Sequence, residues 1–462
     1  SPAMRHAGVI DIGKTNAKVA VVDLASRAEI AVETRPNRVL PGPPWPHFDT
    51  EGLWAFVIAA LRRLHAAHGL DGIAVTTHGA CAVLLDAAGG LAAPVLDYEH
   101  PGPDDTRAAY DRLRPPFAQT GSPPLPGGLN IGAQLFWQFA MDPALRDRTA
   151  QIVTWPQYWG YRLTGRLACD VTSLGCHTDL WDPHLGRPSR LVARLGLAGK
   201  LAPARSPADH LGPLLPGIAG LTGLDPLVPV ICGIHDSNAS LFPHLLDRTA
   251  PFSVVSTGTW VVCMAIGGAS VTLDPARDTL INVSALGTPV PSARFMGGRE
   301  HDMVLQGRVG QAGPDDISTV LRRGIMLLPS IQPGSGPFPD RRARWTGGDR
   351  SGGQTEVATG YYLAMMTGEC LGMIGARGPV IVEGPFAGNR HFTGMLAAAT
   401  GRPVVATATR TGTAVGAALL LRPPGAGTTP GPDRPIPADP ALAAYAARWR
   451  ALVQAASAPA AR

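Results

Sequence analysis

The chain has 462 residues, of which 45% are apolar and only 16% charged, with 55 glycines and 45 prolines. That length predicts two or three domains, and that balance excludes a disordered or fibrous chain. The net charge of +5 is carried by scattered arginines, since only Lys14, Lys18 and Lys200 are lysine, so no basic stripe of the kind a nucleic-acid binder needs is formed.

Ser1-Pro2-Ala3 before Met4 reads as an expression scar. A charged leader with an apolar core, and any apolar run of ~18 residues, are missing from the sequence, which predicts a cytoplasmic protein without a membrane partner. The six cysteines show no C-x-x-C pair, so neither a zinc site nor a disulfide framework is expected.

Gly8 to Asp23 holds two β-branched runs around a Gly/Lys/Thr/Asn turn, which predicts a hairpin, and Glu29 to Arg35 extends it to a meander. Glu51 to His68 has helical apolar spacing, and Gly72 to Thr77 reads as a buried strand. Pro101 to Pro226 mixes helices with Pro/Gly loops, and Pro229 to Ile234 is a strand leading into His235-Asp236-Ser237. Pro251 to Ile266 is again a β run, a Gly/Thr turn and a β run. This coarse repeat predicts two related domains facing each other. Pro379 to Glu383 is a strand, Gly388 to Thr400 a helix, Pro403 to Ala406 a strand and Thr411 to Leu421 a small-residue helix. Pro423 to Pro440 reads as a linker and Ala441 to Ala456 as a helical tail. The expected divisions are 4–246, 247–422 and 423–462.

Gly8-x4-Gly13-Lys14-Thr15 fits the P-loop pattern letter for letter. Its context opposes that reading: a P-loop follows a strand and opens a helix, whereas Ala17 to Val22 alternates like a strand. The same residues suit a phosphate-binding hairpin. Gly13, Lys14, Thr15 and Asn16 offer N–H groups, side chains and charge to an anion, Lys18 adds charge, and Asp11 is placed to hold Mg²⁺. A plain hairpin is the competing reading. Thr257, Gly258 and Thr259 form the matching turn in the second half. Asp236, at a strand end where a helix begins, suits the base that phosphoryl transfer needs, or else Asp236 or Ser237 only caps the helix Asn238 to Leu246.

These residues resemble the FGGY carbohydrate kinases, which share a duplicated RNase H-like (actin/Hsp70-like) α/β fold with a nucleotide cleft between two domains. Asp11-x-Gly13-Lys14-Thr15-Asn16-x-Lys18 is similar to the first phosphate motif, with Lys14 where Thr or Ala is more usual. Gly233-Ile-His235-Asp236 is similar to the strand end that carries the catalytic Asp, and Ser256-Thr257-Gly258-Thr259-Trp260 to the second phosphate motif of the L-rhamnulose and L-fuculose kinase branch. Pro156 to Gly165, Gln134 to Trp137 and Thr413 to Ala418 resemble further family segments, and Glu383-Gly384-Pro385 with Asn389 resembles the adenosine motif.

The resemblance implies ATP and Mg²⁺ as cofactors, with Asp11 and Asp236 near the metal, and a small-molecule sugar met by His78, Gly79, Tyr98, Glu99, His235 and Asp236. It also implies a monomer or homodimer. The acceptor is expected to be a ketose such as L-rhamnulose or L-fuculose, with a ketopentose such as xylulose or a shorter sugar or polyol as alternatives. A non-catalytic sugar sensor of the same fold and a P-loop ATPase are the other readings.

Overall fold

Strands His6–Ile12 and Asn16–Asp23 pair antiparallel around the Gly13 turn, with Asp11 opposite Lys18. Ala17 to Val22 is therefore strand and not helix, which removes the P-loop reading. The computed structural model describes residues 3–407, 412–422 and 434–456 and divides into two units. Unit 1 takes residues 1–247, 281–289 and 411–428, and unit 2 takes 248–280, 290–410 and 429–462.

The unit 1 sheet runs in the order Ile234–His235, Gly72–Thr77, His6–Ile12, Asn16–Asp23, Ala28–Pro36. The first three strands are mutually parallel. Parallel strands deliver their C-terminal ends to one edge, so Asp11–Gly13, His78–Gly79 and Asp236 leave the sheet on the same side, where open α/β sheets bind ligands. Side chains alternate between faces with period two. Ile10, Ile12, Val19, Val21, Ile73 and Val75 meet helix Thr50–His68 through Leu53, Val57 and Leu61. On the other face Val9, Ala20, Val22 and Ala74 meet Ala239, Phe242, Ala414, Ala417 and Ala418.

The strand expected over Pro229 to Ile234 is shorter, Ile234–His235, with Val230 making only an isolated bridge to Ile73. Gly233 interrupts it with a φ of +105°, and a Cβ there would stand 2.9 Å from the Val75 carbonyl oxygen. The following helix, Asp236–Asp247, starts two residues earlier than expected, so Asp236 is its first residue.

Unit 2 repeats the plan. Pro289–Phe295, Val261–Ile266, Phe252–Thr257, Val380–Glu383 and Val404–Ala406 follow in that order, with an antiparallel hairpin at the centre and parallel strands beyond its first strand. Read from the meander side, unit 1 has the same order and polarity. The helix expected from Gly388 is a 3₁₀ turn, Pro385–Gly388, then a helix, Arg390–Thr400. Helix Pro440–Ala456 packs into unit 2: Tyr445 Oη donates to the Ile325 carbonyl at 2.6 Å and Trp449 Nε1 to that of Leu327 at 2.9 Å. The linker expected over 423–440 lies outside the described residues up to 433, as does the predicted helix start at Thr411. All six cysteines are buried thiols, and among the described residues no helix is long and apolar enough to cross a membrane.

Helix Thr413–Leu419 lies against helix Asp236–Asp247, both within unit 1, and Gly416 permits the approach: a Cβ there would fall 1.7 Å from the Ala239 carbonyl oxygen. Gly416→Ala should therefore force the two helices apart at a cost of about 2 kcal/mol. The expected result is an apparent Tm lower by about 5 °C in calorimetry; an unchanged Tm would contradict this packing.

Candidate functional site

In unit 1 the Gly13 N–H donates to the Asn16 carbonyl at 2.9 Å and closes the hairpin turn. Asn37, buried at the end of the meander, clamps this turn: its Nδ2 donates to the Gly13 carbonyl at 2.8 Å and its backbone N–H to that of Thr15 at 2.9 Å. Thr15 and Asn16 are exposed at the tip. Lys18 Nζ lies 2.7 Å from Glu29 and 4.0 Å from Asp11. The Thr413 hydroxyl donates to Asp11 Oδ2 at 2.7 Å. Burial pushes the Asp11 carboxyl up to about 6, against the pull of Thr413 and Lys18. The sequence reading set Lys14 beside phosphate; in the structure its ammonium lies 2.5 Å from Asp97 Oδ1 and 3.9 Å from Glu99 Oε2.

Asp236 begins its helix, and its Oδ1 accepts the Ser237 N–H at 2.7 Å. His235 Nε2 lies 3.3 Å from the same oxygen and 3.6 Å from Cys176 Sγ. On the opposite side of the ring the Asn238 amide nitrogen meets Nδ1 at 3.1 Å. An amide NH₂ donates, so Nδ1 accepts and the ring proton sits on Nε2, whose hydrogen-bond partner is Cys176 Sγ, with the Asp236 carboxylate close beside it. Burial drives His235 down to about 4, so the ring is neutral at physiological pH. The Asp236 side chain is 31% exposed, yet loss of water around the carboxyl still raises its pKa above the ordinary value.

The backbone leading to Asp236 is held by a wholly buried polar network. Gln157 Nε2 donates to the Cys232 carbonyl at 3.0 Å and to Asp170 Oδ1 at 3.1 Å. Asp170 also accepts the N–H groups of Thr172 and Ser173 and both their hydroxyls. Thr172 Oγ1 in turn accepts the His235 N–H at 3.0 Å.

His78 has both ring nitrogens occupied. Trp155 Nε1 donates to its Nε2 at 3.1 Å, leaving Nδ1–H to donate to the Gly79 carbonyl at 2.8 Å. Its ring packs against Phe48 and Tyr98 with centroids 5.4 and 5.3 Å away. A substrate would therefore find no free ring nitrogen at His78. Gly79 touches His235: a Cβ there would stand 3.1 Å from Nε2. Tyr98 is half-buried, and the Glu99 side chain is 62% exposed. Gln134 holds the same loop by donating to the Ala80 carbonyl at 2.6 Å.

Unit 2 carries a cavity of about 1060 Å³ lined by Gly258, Thr259, Gly298, His301, Pro385, Phe386 and Asn389 among others. Thr257 is buried behind it. Its hydroxyl donates to the Glu383 carbonyl at 2.7 Å and accepts the Phe386 N–H at 3.0 Å, latching the hairpin to the Gly384 turn. Gly384, at φ +89°, has no room for a side chain, because a Cβ would lie 2.1 Å from the Thr257 carbonyl oxygen. Asn389 spends its side-chain oxygen capping helix Arg390–Thr400 through the N–H groups of His391 and Phe392. The His301 ring packs on Phe386, centroids 5.4 Å apart, forming an aromatic wall.

Family models match both parts of the chain: the FGGY family of carbohydrate kinases, N-terminal domain, over residues 6–243, and carbohydrate kinase FGGY, C-terminal domain, over 249–430. The chain belongs to the FGGY family of carbohydrate kinases. A solved structure, a carbohydrate kinase from Novosphingobium aromaticivorans, is 36% identical with a TM-score of 0.90, covering 98% of this chain and 100% of that one. A xylulose kinase from Rhodospirillum rubrum is 22% identical with a TM-score of 0.78, covering 98% of each chain, a likeness of fold alone. Among curated proteins, L-fuculokinase of Salmonella typhi is 28% identical over 268 residues, 56% of each chain. The chain thus spans about half the length of the curated relatives it matches.

Several side chains of this FGGY chain escape sequence reasoning. Asn37, Gln157 and Thr413 act through partners 24, 75 and 402 residues away, and His301 joins Phe386 only in the folded unit. Asp170 could have been found, because Asp-x-Thr-Ser is a helix N-cap signal.

The raised Asp11 pKa has a defined sign. A carboxyl at about 6 when folded and at its ordinary 3.8 when unfolded binds a proton more tightly when folded, so its burial costs nothing below pH ~4 and costs stability increasingly as pH rises to ~6, reaching about 3 kcal/mol. In metal- and nucleotide-free protein, Asp11→Asn should raise Tm at pH 7.5, and the gain should vanish at pH 4. A gain independent of pH would contradict this origin.

Proposed function

We propose that this chain is an ATP-dependent sugar kinase, transferring the γ-phosphoryl group to a hydroxyl of a ketose with Asp236 as general base. The observation that carries this reading is the Asp236 carboxylate at the C-terminal edge of the unit 1 sheet, held by the Ser237 N–H, raised in pKa and set 3.3 Å from a neutral His235. The acceptor O–H gives its proton to Asp236 as its oxygen forms the new bond to phosphorus, the bond to the bridging oxygen breaks, and ADP leaves. Raised in basicity by the loss of water around it, this carboxylate suits that role better than an ordinary one.

The unit 2 cavity suits the nucleoside. Gly258, Gly298 and Gly388 present bare backbone, and the His301–Phe386 wall offers an apolar surface for a base. Thr15 and Asn16 at the unit 1 turn tip are proposed phosphate contacts. Lys18, Asn389 and Thr257 act on these surfaces through the pairings described above. Asp11 is a buried carboxylate with one hydroxyl and one ammonium partner, a donor set that fits Mg²⁺ carried on nucleotide phosphates, which takes one or two carboxylates. Bound there, Mg²⁺ would neutralise charge developing on the phosphates, with Asp11 and Asp236 as its protein-side carboxylates.

For the acceptor, a ketose such as L-fuculose or L-rhamnulose is favoured by the L-fuculokinase relative, and a ketopentose by the likeness to xylulose kinases. ADP release measured across a panel of ketoses and polyols tests both. Asp236→Asn should reduce turnover by at least about 10³-fold while nucleotide affinity changes less than about threefold. The acid limb of kcat/KM should fall with an apparent pKa above the usual carboxylate value. Retained turnover in Asp236→Asn would falsify the base assignment.

A further inference from the structure

Lys14 occupies the phosphate hairpin, yet its side chain serves another surface. With Gly13 and Thr15 clamped by Asn37, its stem leaves the turn toward Asp97, and its ammonium lies 5.0 Å from the centroid of Phe48 and 5.2 Å from that of Tyr98. Asp97 Oδ1 takes this ammonium at 2.5 Å and also accepts the Glu99 N–H at 3.1 Å, while the Asp97 N–H donates to the Pro46 carbonyl. The carboxylate that receives Lys14 is thus itself fixed. Tyr98 and Phe48 in turn flank His78, and both Lys14 and Asp236 act on the His78 ring electrostatically. All these residues belong to unit 1.

We infer that Lys14 is a specificity-determining residue for the sugar, and not a phosphate ligand. The inference rests on the kinase reading above and deepens it. One ammonium faces two carboxylates, Asp97 and Glu99, so this cluster is negative by one before the Asp236 carboxylate is counted. A neutral polyol is suited to such a cluster: its hydroxyls donate to the carboxylates and accept from the ammonium. An aldonate brings a second uncompensated negative charge and is disfavoured. Losing Lys14 leaves two unpaired carboxylates, which favours a substrate bearing an ammonium group.

Lys14→Met keeps the length of the apolar stem and removes the charge. Its test is calorimetric binding of a ketose panel, the matching aldonates and 2-amino sugars, and separately of the ATP analogue AMP-PNP. Loss of one charge-assisted hydrogen bond predicts a sugar Kd raised by roughly tenfold or more, an AMP-PNP Kd within about twofold of wild type, and a shift of relative affinity toward the amino sugar. Lys14→Met/Asp97→Asn guards against a folding defect, since Asp97 is then no longer an orphan charge. It should recover wild-type Tm but not the sugar affinity, and Lys14→Arg should keep part of it. An AMP-PNP Kd raised tenfold with sugar binding intact overturns the inference. So do unchanged affinities for both, wild-type preference for an aldonate, or a wild type that binds no neutral ketose or polyol. Because binding is read without turnover, a protein that binds a ketose but never phosphorylates it removes the kinase reading and leaves this test standing.

Discussion

The buried carboxylate of Asp170 is the interaction on which the rest of the unit 1 site depends. It has no exposed surface, and an unpaired charge in such a place costs several kcal/mol. Five donors from Gln157, Thr172 and Ser173 meet it. Two of those side chains reach on to the backbone on either side of Gly233, Gln157 to the Cys232 carbonyl and Thr172 to the His235 N–H. Satisfying one buried charge thereby fixes the strand end from which Asp236 projects. A short strand of two residues could not hold that position alone.

The same economy of hydrogen bonds sets the protonation states. His78 and His235 are buried and neutral, and each has its tautomer assigned by its partners: Trp155 and Gly79 for the first, Asn238 and Cys176 for the second. The Ser237 N–H orients the Asp236 carboxylate, and the neutral ring of His235 beside it brings none of the strong stabilisation of the anion that an imidazolium would. The basicity of Asp236 therefore survives. Unit 2 is arranged differently. There the glycines at 258, 298 and 384 bring backbone close to backbone, and Thr257 spends its hydroxyl on holding two turns together. One unit is built around polar side chains with assigned protons, the other around exposed main chain and an aromatic wall.

The repeat of strand order and polarity in the two units has a physical counterpart in the sequence. Each begins with β-branched runs around a Gly turn, and each later supplies a buried parallel strand ending at a polar turn. Where the units diverge, local composition explains it. Helix Thr413–Leu419 is built of small residues and can lie against helix Asp236–Asp247, whereas helix Pro440–Ala456 carries Tyr445 and Trp449, which find carbonyl partners in unit 2. An alanine-rich tail looked like an appendage in sequence, although Leu442, Tyr445, Trp449 and Val453 fall at helical spacing on the face that it buries.

Much of the framework was legible in the residues themselves. Period-two runs predicted the hairpins, the strand state of Ala17 to Val22 and the buried strand Gly72–Thr77, and the motif around Asp236 brought it forward as the reactive group. Those features depend on backbone geometry and on neighbours a few residues away, so the local sequence determines them. Side-chain destinations did not follow. Lys14 lies in a phosphate-like motif but bonds Asp97, His78 surrenders both nitrogens to Trp155 and Gly79, and Gly233 cuts short a strand that its neighbours would extend. A flexible ammonium or an imidazole is directed by whichever partner the fold brings within 3 Å, and Asp97 and Trp155 stand 83 and 77 residues along the chain. Sequence determined the strands, turns and candidate groups; only the tertiary structure decided which polar atoms were already satisfied and which remained for a substrate.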